Sequence, residues 1–216
     1  MYRVDRNNFY TEQKKATIYT PQFVAEFIFD LVSKKIKKGL VFDPCVGTGA
    51  LLKPFQKAGY EVLGVDIESQ GFKPIKVINF LELKKGEIKT PSLVVVNPPF
   101  NIDKKTKAFI KKNYPGRPLL PEIWLMKIIE LFGADIPIVL FAPYGLRLNQ
   151  TTSSKRWSKF IDGVYPEISS IISLPKDCFR GVLFHSEILI FNIKKLKAHY
   201  FYDDKKKETL FKHESA

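Results

Sequence analysis

The chain has 216 residues, 45% hydrophobic and 26% charged, a size and composition typical of one globular domain. Its formal net charge of +13 favours a polyanionic partner, most often nucleic acid, although a lysine-rich genome alone would give the same charge. The sequence contains no disulfide framework, no signal peptide and no apolar run long enough to cross a bilayer, so we expect a cytoplasmic protein without a membrane partner.

The predicted elements alternate between helices and strands. Residues 1–19 form a polar N-terminal segment, after which Thr20 and Pro21 predict the N-cap and first position of a helix. Further helices are predicted at 50–57, 123–132 and 153–161, and strands at 40–42, 61–65, 75–78, 92–96, 136–141, 168–174 and 187–193. This order predicts an α/β catalytic domain over 20–193, with a doubly wound, mostly parallel seven-stranded sheet whose last strand runs antiparallel. Residues 194–216 are expected to be a basic C-terminal tail.

A first candidate site lies between the first strand and the following helix, at residues 43–49. Gly47 and Gly49 allow a ligand close to the backbone, but Leu52 stands where a dinucleotide fingerprint has its third glycine. Asp66 ends the next strand, where a carboxylate can accept hydrogen bonds from both hydroxyls of a ribose. The pattern favours a nucleoside cofactor over a dinucleotide, and its alternative is an ordinary tight turn.

A second candidate site, Asn97-Pro98-Pro99-Phe100, follows a buried strand and gives the most specific signal in the chain. The prolines stiffen the loop and leave the Asn97 amide oxygen and the Pro98 carbonyl as acceptors. Two acceptors on an aromatic amine such as adenine N6 would increase the electron density of its lone pair for attack on a sulfonium methyl. Phe100 would stack on a flipped base. The alternative is a rigid loop without a catalytic role.

Together these residues resemble the gamma-class amino-group (N6-adenine) DNA methyltransferases, which include type I modification subunits. The similarity covers about residues 11–193 and follows the family's motif order. The matching segments are residues 14–21 (motif X), 43–49 (motif I), 64–67 (motif II), 79–81 (motif III), 97–100 (motif IV) and Leu174, Pro175, Phe179 with 187–191 (motif VIII). The resemblance implies a Rossmann-like fold, S-adenosyl-L-methionine as cofactor, and adenine in DNA as target, as in restriction-modification systems.

The resemblance also implies roles for individual residues. Thr20 would seat the methionine carboxylate and Asp43 would face the ammonium, while Asp66 would hold the ribose. Ile67 and Phe80 would sandwich the adenine of the cofactor, and Asn79 stands where the family usually has Asp. Phe179 would pack on the target base opposite Phe100, its alternative being an ordinary core side chain. The remaining cofactor-binding residues expected are Pro21, Pro44, Cys45, Gly47 and Gly49.

No target-recognition domain is expected in this chain. Sequence reading would then come from a separate specificity subunit, from a homo-oligomer, or from the loop 101–121, whose Lys104 and Lys105 are predicted to contact phosphates. His185 and His199 show no metal-ligand spacing, so no metal is expected.

Three other functions fit part of the pattern. RNA adenine methylation would use the same pocket, and glutamine methylation on a protein uses a similar Asn-Pro-Pro-aromatic loop. Motif X and the charge of +13 argue against glutamine. A non-catalytic nucleic-acid-binding subunit would explain Asn79, but would have no need for an intact Asn97–Phe100 loop.

Overall fold

An eight-stranded sheet runs through the structure, a computed structural model that describes residues 19–99, 101–116, 118–148, 150–175, 178–179 and 186–202. Its strands are β1 (Leu40–Asp43), β2 (Glu61–Asp66), β3 (Ile75–Val77), β4 (Leu93–Val96), β5 (Ile138–Pro143), β6 (Ile168–Ser173), β7 (Ser186–Phe191) and β8 (His199–Phe201). Their order across the sheet is β3-β2-β1-β4-β5-β7-β6-β8.

The strand order reverses between β1 and β4. β1 pairs in parallel with β2 on one side and with β4 on the other, so the chain builds outward in both directions from this point. Such a reversal opens a crevice at the carboxyl ends of the strands, where ligands of open α/β sheets bind. β7 runs antiparallel between β5 and β6, as expected from the sequence. The predicted doubly wound α/β class is confirmed.

Helices cover both faces of the sheet: α1 (Gln22–Val32), α2 (Lys53–Lys57), α3 (Lys104–Asn113), α4 (Leu120–Phe132) and α5 (Lys155–Ile161). Alternate residues of one strand point to opposite faces, and β1 shows this directly. Val41 lies in the core beneath α1 and α2, whereas Phe42 lies in the core beneath α4. This alternation holds the end of β1 between two packed layers.

The prediction of seven strands, with the domain ending at residue 193, needs correction. β8 pairs in parallel with β6, with Ile171 opposite His199, and so extends the sheet into the predicted tail. Tyr202 follows β8 and is buried, with ring centroids 5.5 Å from Phe23 and 5.3 Å from Phe27 of α1. A three-residue strand beside several lysines carries too little periodicity to be recognised in the sequence.

The predicted loop 101–121 also needs correction, because it contains α3 and the start of α4. Asp103 caps α3, since its side chain accepts a hydrogen bond from Thr106 N. Phe109 and Ile110 pack on the core beneath α4. The five lysines of α3 are all exposed, at positions 104, 105, 107, 111 and 112.

A buried acid joins α4 to α5. Glu122, in the first turn of α4, accepts hydrogen bonds from Arg156 Nε at 2.6 Å and from Tyr165 Oη at 2.9 Å. Its carboxylate raises the pKa of Tyr165 further than burial alone does. α5 itself contributes no fully buried side chain, and Trp157 and Ile161 on it are 40% and 68% exposed.

Candidate active site

A cavity of about 350 Å³ lies at the reversal point of the sheet, within the size range of small-molecule sites. It brings together the ends of β1, β2 and β4, the segment before α1 and the first turn of α3. Twelve of the residues singled out in the sequence line it: Thr20, Asp43, Pro44, Cys45, Gly47, Asp66, Ile67, Asn79, Phe80, Asn97, Pro98 and Pro99.

The turn after β1 is held by hydrogen bonds to two carboxylates. Cys45 N donates to Asp43 Oδ1 at 2.9 Å, and Gly47 N donates to Asp66 Oδ2 at 2.8 Å, which ties the end of β1 to the end of β2. Gly49 has φ +80°, and a Cβ on it would fall 2.0 Å from the Phe72 ring. The turn therefore has its conformation before any ligand arrives.

Burial makes the chemistry of this turn unusual. Asp43 is 1% exposed, and its burial, with a further contribution from Asp66, raises its pKa to about 8. At neutral pH Asp43 therefore holds a proton, which a cation placed beside it would displace. Burial also raises the pKa of the Cys45 thiol, and both aspartates add to the effect. This thiol is therefore protonated and is not an activated nucleophile.

Apolar side chains form another part of the wall. Ile67, directly after Asp66, is 55% exposed, whereas Phe80 is 2% exposed and held by Trp124 and Phe42, with centroids 6.3 and 6.2 Å away. The structure thus offers a fixed aromatic side and a solvent-accessible aliphatic side to a flat apolar group.

Asn79 connects the cavity to α3. Its Oδ1 accepts from Leu81 N at 3.1 Å, and its Nδ2 donates to Thr106 Oγ1 at 3.3 Å. The sequence pattern gave no sign of Thr106, because its partners lie 27 residues away or within its own helical turn.

Asn97 is held from one side only. Its Nδ2 donates to Thr20 Oγ1 at 3.1 Å, while its buried Oδ1 has no hydrogen-bond partner among the residues that the structure describes. The prediction that Thr20 caps α1 is wrong, since Pro21 is the N-cap and makes no side-chain bond there. The Thr20 hydroxyl instead orients the Asn97 amide, so that its oxygen is left for another donor.

Several predicted residues lie away from the cavity wall. Pro21 is the N-cap of α1, Gly49 lies behind the turn under Phe72, and Lys104 and Lys105 are exposed in the first turn of α3. Phe179 is 2% exposed and lies in the core, with its ring 6.1 Å from that of Phe141. Phe100 falls outside the described residues.

Metal centres and membrane spans can be assessed over the described ranges alone. There, histidine, cysteine and acidic side chains form no group of three or more that could hold a metal ion. In the same ranges, none of the helices combines the length and apolarity that a bilayer crossing requires.

The comparison with protein families gives a match to the N-6 DNA methylase family over residues 2–63. The match confirms the resemblance read from the motifs. It covers the segment before α1 and continues into β2, and it ends before Asn97. No curated protein sequence matches the chain.

Solved structures confirm the Rossmann-like methyltransferase fold. A modification subunit assigned to a type I restriction enzyme from Vibrio vulnificus YJ016 superposes with a TM-score of 0.59 at 16% identity, over 86% of this chain and 45% of that one. The type I restriction-modification methyltransferase subunit from Streptococcus thermophilus gives 0.57 at 16% identity, over 88% and 48%. A protein assigned as a class I S-adenosylmethionine-dependent methyltransferase from Listeria monocytogenes gives 0.58 at 18% identity, over 84% and 64%. The chain thus spans about half the length of the two type I subunits.

Proposed function

We propose that this protein transfers a methyl group from S-adenosyl-L-methionine to the N6 amino nitrogen of adenine in DNA, with the base flipped into the cavity beside Asn97. The observation that carries the proposal is the Asn97 amide, whose nitrogen is bound by Thr20 and whose buried oxygen lacks a partner among the described residues. A buried acceptor left unpaired costs about 1–3 kcal/mol, so such an atom is expected to meet a donor from a ligand.

The cavity fits the cofactor by the chemistry of its walls. Asp43 would bind the ammonium and Asp66 the ribose hydroxyls, each through lone pairs not used by the backbone amides of the turn. Ile67 and Phe80 would enclose the adenine ring, and Asn79 would contact its edge. When bound, the cofactor supplies an electrophilic methyl group.

The chain's own part in the reaction is to position and polarise the target amine. The lone pair of adenine N6 is delocalised into the ring, so the amine is a weak nucleophile. Asn97 Oδ1 and the Pro98 carbonyl would accept hydrogen bonds from its two N–H groups. These bonds would favour a pyramidal nitrogen whose lone pair points toward the methyl group. This is catalysis by orientation and electrostatics, without a covalent enzyme intermediate.

The basic helix α3 supports a polyanionic substrate. Asp103 and Thr106 of its capped first turn line the cavity, and Lys104, Lys105 and Lys107 project into solvent from the same turns. Phosphates on either side of a flipped nucleotide would meet these lysines. We also propose that a specificity subunit, or a second copy of the chain, provides the reading of DNA sequence.

Labelled methyl transfer to several substrates tests the proposal. Duplex DNA, single-stranded DNA, RNA and cell protein are each incubated with labelled S-adenosyl-L-methionine and either wild type or Asn97→Ala. We expect label on adenine of DNA with wild type and about 10²–10³-fold slower labelling with Asn97→Ala, while calorimetry shows that the variant still binds S-adenosyl-homocysteine.

The other outcomes separate the rival functions. Label that appears only on RNA or on glutamine would change the substrate and retain the mechanism. Cofactor binding without transfer to any substrate, even with a specificity subunit added, would favour a non-catalytic subunit. Equal transfer by wild type and Asn97→Ala would contradict the role of the amide.

A further inference from the structure

One continuous set of side-chain hydrogen bonds joins the cavity wall to the basic helix. Asn79 Nδ2 donates to Thr106 Oγ1 at 3.3 Å, and Thr106 Oγ1 donates to Asp103 Oδ2 at 2.8 Å. The other oxygen of Asp103 accepts from Thr106 N at 2.8 Å. All three residues line the cavity, and Thr106 is only 5% exposed.

The number of protons fixes the direction of these bonds. Thr106 N holds the pKa of Asp103 below its ordinary value, so Asp103 is ionised at neutral pH and can only accept. It therefore takes the single hydroxyl proton of Thr106, and residue 79 must donate to the Thr106 oxygen.

The other end of Asn79 is equally constrained. Leu81 N donates to Oδ1, which turns the NH₂ group toward Thr106. An amide can both accept from Leu81 N and donate to Thr106 Oγ1. An ionised carboxylate at position 79 has no proton to donate, so its oxygen would face the Thr106 oxygen without a hydrogen bond. This accounts for Asn at a position where the methyltransferases that the chain resembles usually have Asp.

We infer that Asn79 is a positioning residue that couples occupancy of the cavity to the placement of α3. A ligand that touches Asn79 restricts the amide, the amide restricts Thr106, and Thr106 restricts the helical turn that carries Lys104, Lys105 and Lys107. The inference rests on the proposed function, in which the cavity binds the cofactor and α3 contacts nucleic acid. Coupling between binding sites is reciprocal, so each ligand strengthens the binding of the other.

The Kd of a fluorescent DNA duplex, measured with and without saturating S-adenosyl-homocysteine, tests this coupling. For wild type we expect the nucleoside to tighten DNA binding about five-fold, the lower end of typical coupling. Thr106→Ser keeps the hydroxyl and should keep this factor, whereas Thr106→Val keeps the shape and should lose it. Retention of the factor by Thr106→Val would overturn the inference.

A charge exchange provides a second, independent test. Asn79→Asp alone should abolish the coupling. In Asn79→Asp combined with Asp103→Asn, the amide introduced at position 103 can donate to Thr106, and Thr106 can donate to the carboxylate introduced at position 79. Each bond is thereby restored in the reverse direction, and the double variant should recover most of the five-fold factor. Failure of this recovery would show that Asn79 has only a local structural role.

Amide hydrogen exchange over residues 104–113 separates this inference from the proposed function. S-adenosyl-homocysteine alone should slow exchange there about ten-fold in wild type and Thr106→Ser, but not in Thr106→Val. If DNA fails to bind and this protection is present, the substrate proposal fails and the connection to α3 stands. If DNA binds and the nucleoside changes neither its Kd nor the exchange, the inference fails alone. Absence of nucleoside binding would overturn both.

Discussion

The two sides of the cavity differ in how their polar atoms are satisfied. On the β1–β2 side, Asp43 and Asp66 accept hydrogen bonds from the amides of the intervening turn. On the β4–α3 side, Asn97 Oδ1 has no partner in the described structure and the lysines of α3 face solvent. The first side is complete by itself, whereas the second has groups suited to a ligand that brings donors and negative charge.

This difference separates two tasks. A site whose carboxylates are already oriented loses little entropy when it binds a small cofactor. A site with an unpaired acceptor stabilises its target only when the target's N–H groups arrive. Substitutions on the two sides should therefore have separable effects, the first on cofactor affinity and the second on turnover and nucleic-acid affinity.

The largest expected effect is that of Asn97→Ala on turnover. Loss of one preorganised acceptor at the reacting atom should lower kcat by about 10²–10³-fold. The Kd for S-adenosyl-homocysteine should change less than about two-fold, because the side-chain hydrogen bond of Asn97 goes to Thr20 and not to Asp43 or Asp66. Single-turnover kinetics and calorimetry measure the two quantities, and a large change in Kd would abolish the distinction between the sides.

Asp66→Ala should show the opposite pattern. We expect the cofactor Kd to rise about 10–100-fold, since hydrogen bonds to a charged group contribute about 1.5–3 kcal/mol. DNA affinity without cofactor should be unchanged. Asp66→Asn keeps an acceptor for Gly47 N and serves as the control for the turn itself. Equal cofactor affinity in wild type and Asp66→Ala would place the ribose elsewhere.

The lysines of α3 should contribute to nucleic-acid affinity and to its salt dependence. Replacing Lys104, Lys105 and Lys107 with Gln should weaken DNA binding several-fold per residue. The slope of log K against log salt should fall by about one for each phosphate that is no longer neutralised. The matched control replaces Lys34, Lys35 and Lys37, which are exposed near the amino end of β1. Equal losses of affinity in both triple variants would indicate a general effect of net charge.

Asp43→Asn should change a different quantity, the stability of the protein in the absence of cofactor. The folded pKa of about 8 lies above the ordinary 3.8, so the folded state keeps a proton that the unfolded state loses between these values. Wild-type stability therefore falls as pH rises through that range and stays reduced above it. An amide at position 43 does not titrate, so the stability of the variant does not fall in this way. The free energy of unfolding of the variant should exceed that of wild type by up to a few kcal/mol at about pH 9 and by little at about pH 4. Thermal unfolding at both pH values measures this, and an equal gain at both would contradict a buried, protonated Asp43.

Local sequence patterns predicted most of the strands and the sheet edge at which the cavity opens. Strands such as Leu93–Val96 are continuous apolar runs, and the polar residues that follow them mark the carboxyl ends at which the cavity opens. β8 was missed because three residues beside several lysines are too few to show the alternation of apolar and polar side chains that is typical of a strand. α3 was missed because only Thr106 in it is fully buried, so its apolar face is weak.

The contacts within the site depend on distances that a linear pattern does not contain. Thr20 was expected to cap α1, but it lies 77 residues from its partner Asn97 and meets it only after β4 joins the sheet. The raised pKa of Asp43 likewise comes from burial beneath the folded turn. Phe179 could not be assigned from its residue type, since a core phenylalanine and a base-stacking phenylalanine look alike in a sequence.

The attachment of α5 has a consequence for how the molecule opens. This helix contributes no fully buried side chain. Glu122 pairs with Arg156 and Lys159 on it, and also accepts a hydrogen bond from Tyr165, which follows it. Segments with few buried apolar contacts open at a lower free energy than the sheet they rest on. Within the described part of the chain, limited proteolysis should therefore cut residues 150–164 before the strands, and the sheet with its cavity should outlast the loss of that helix.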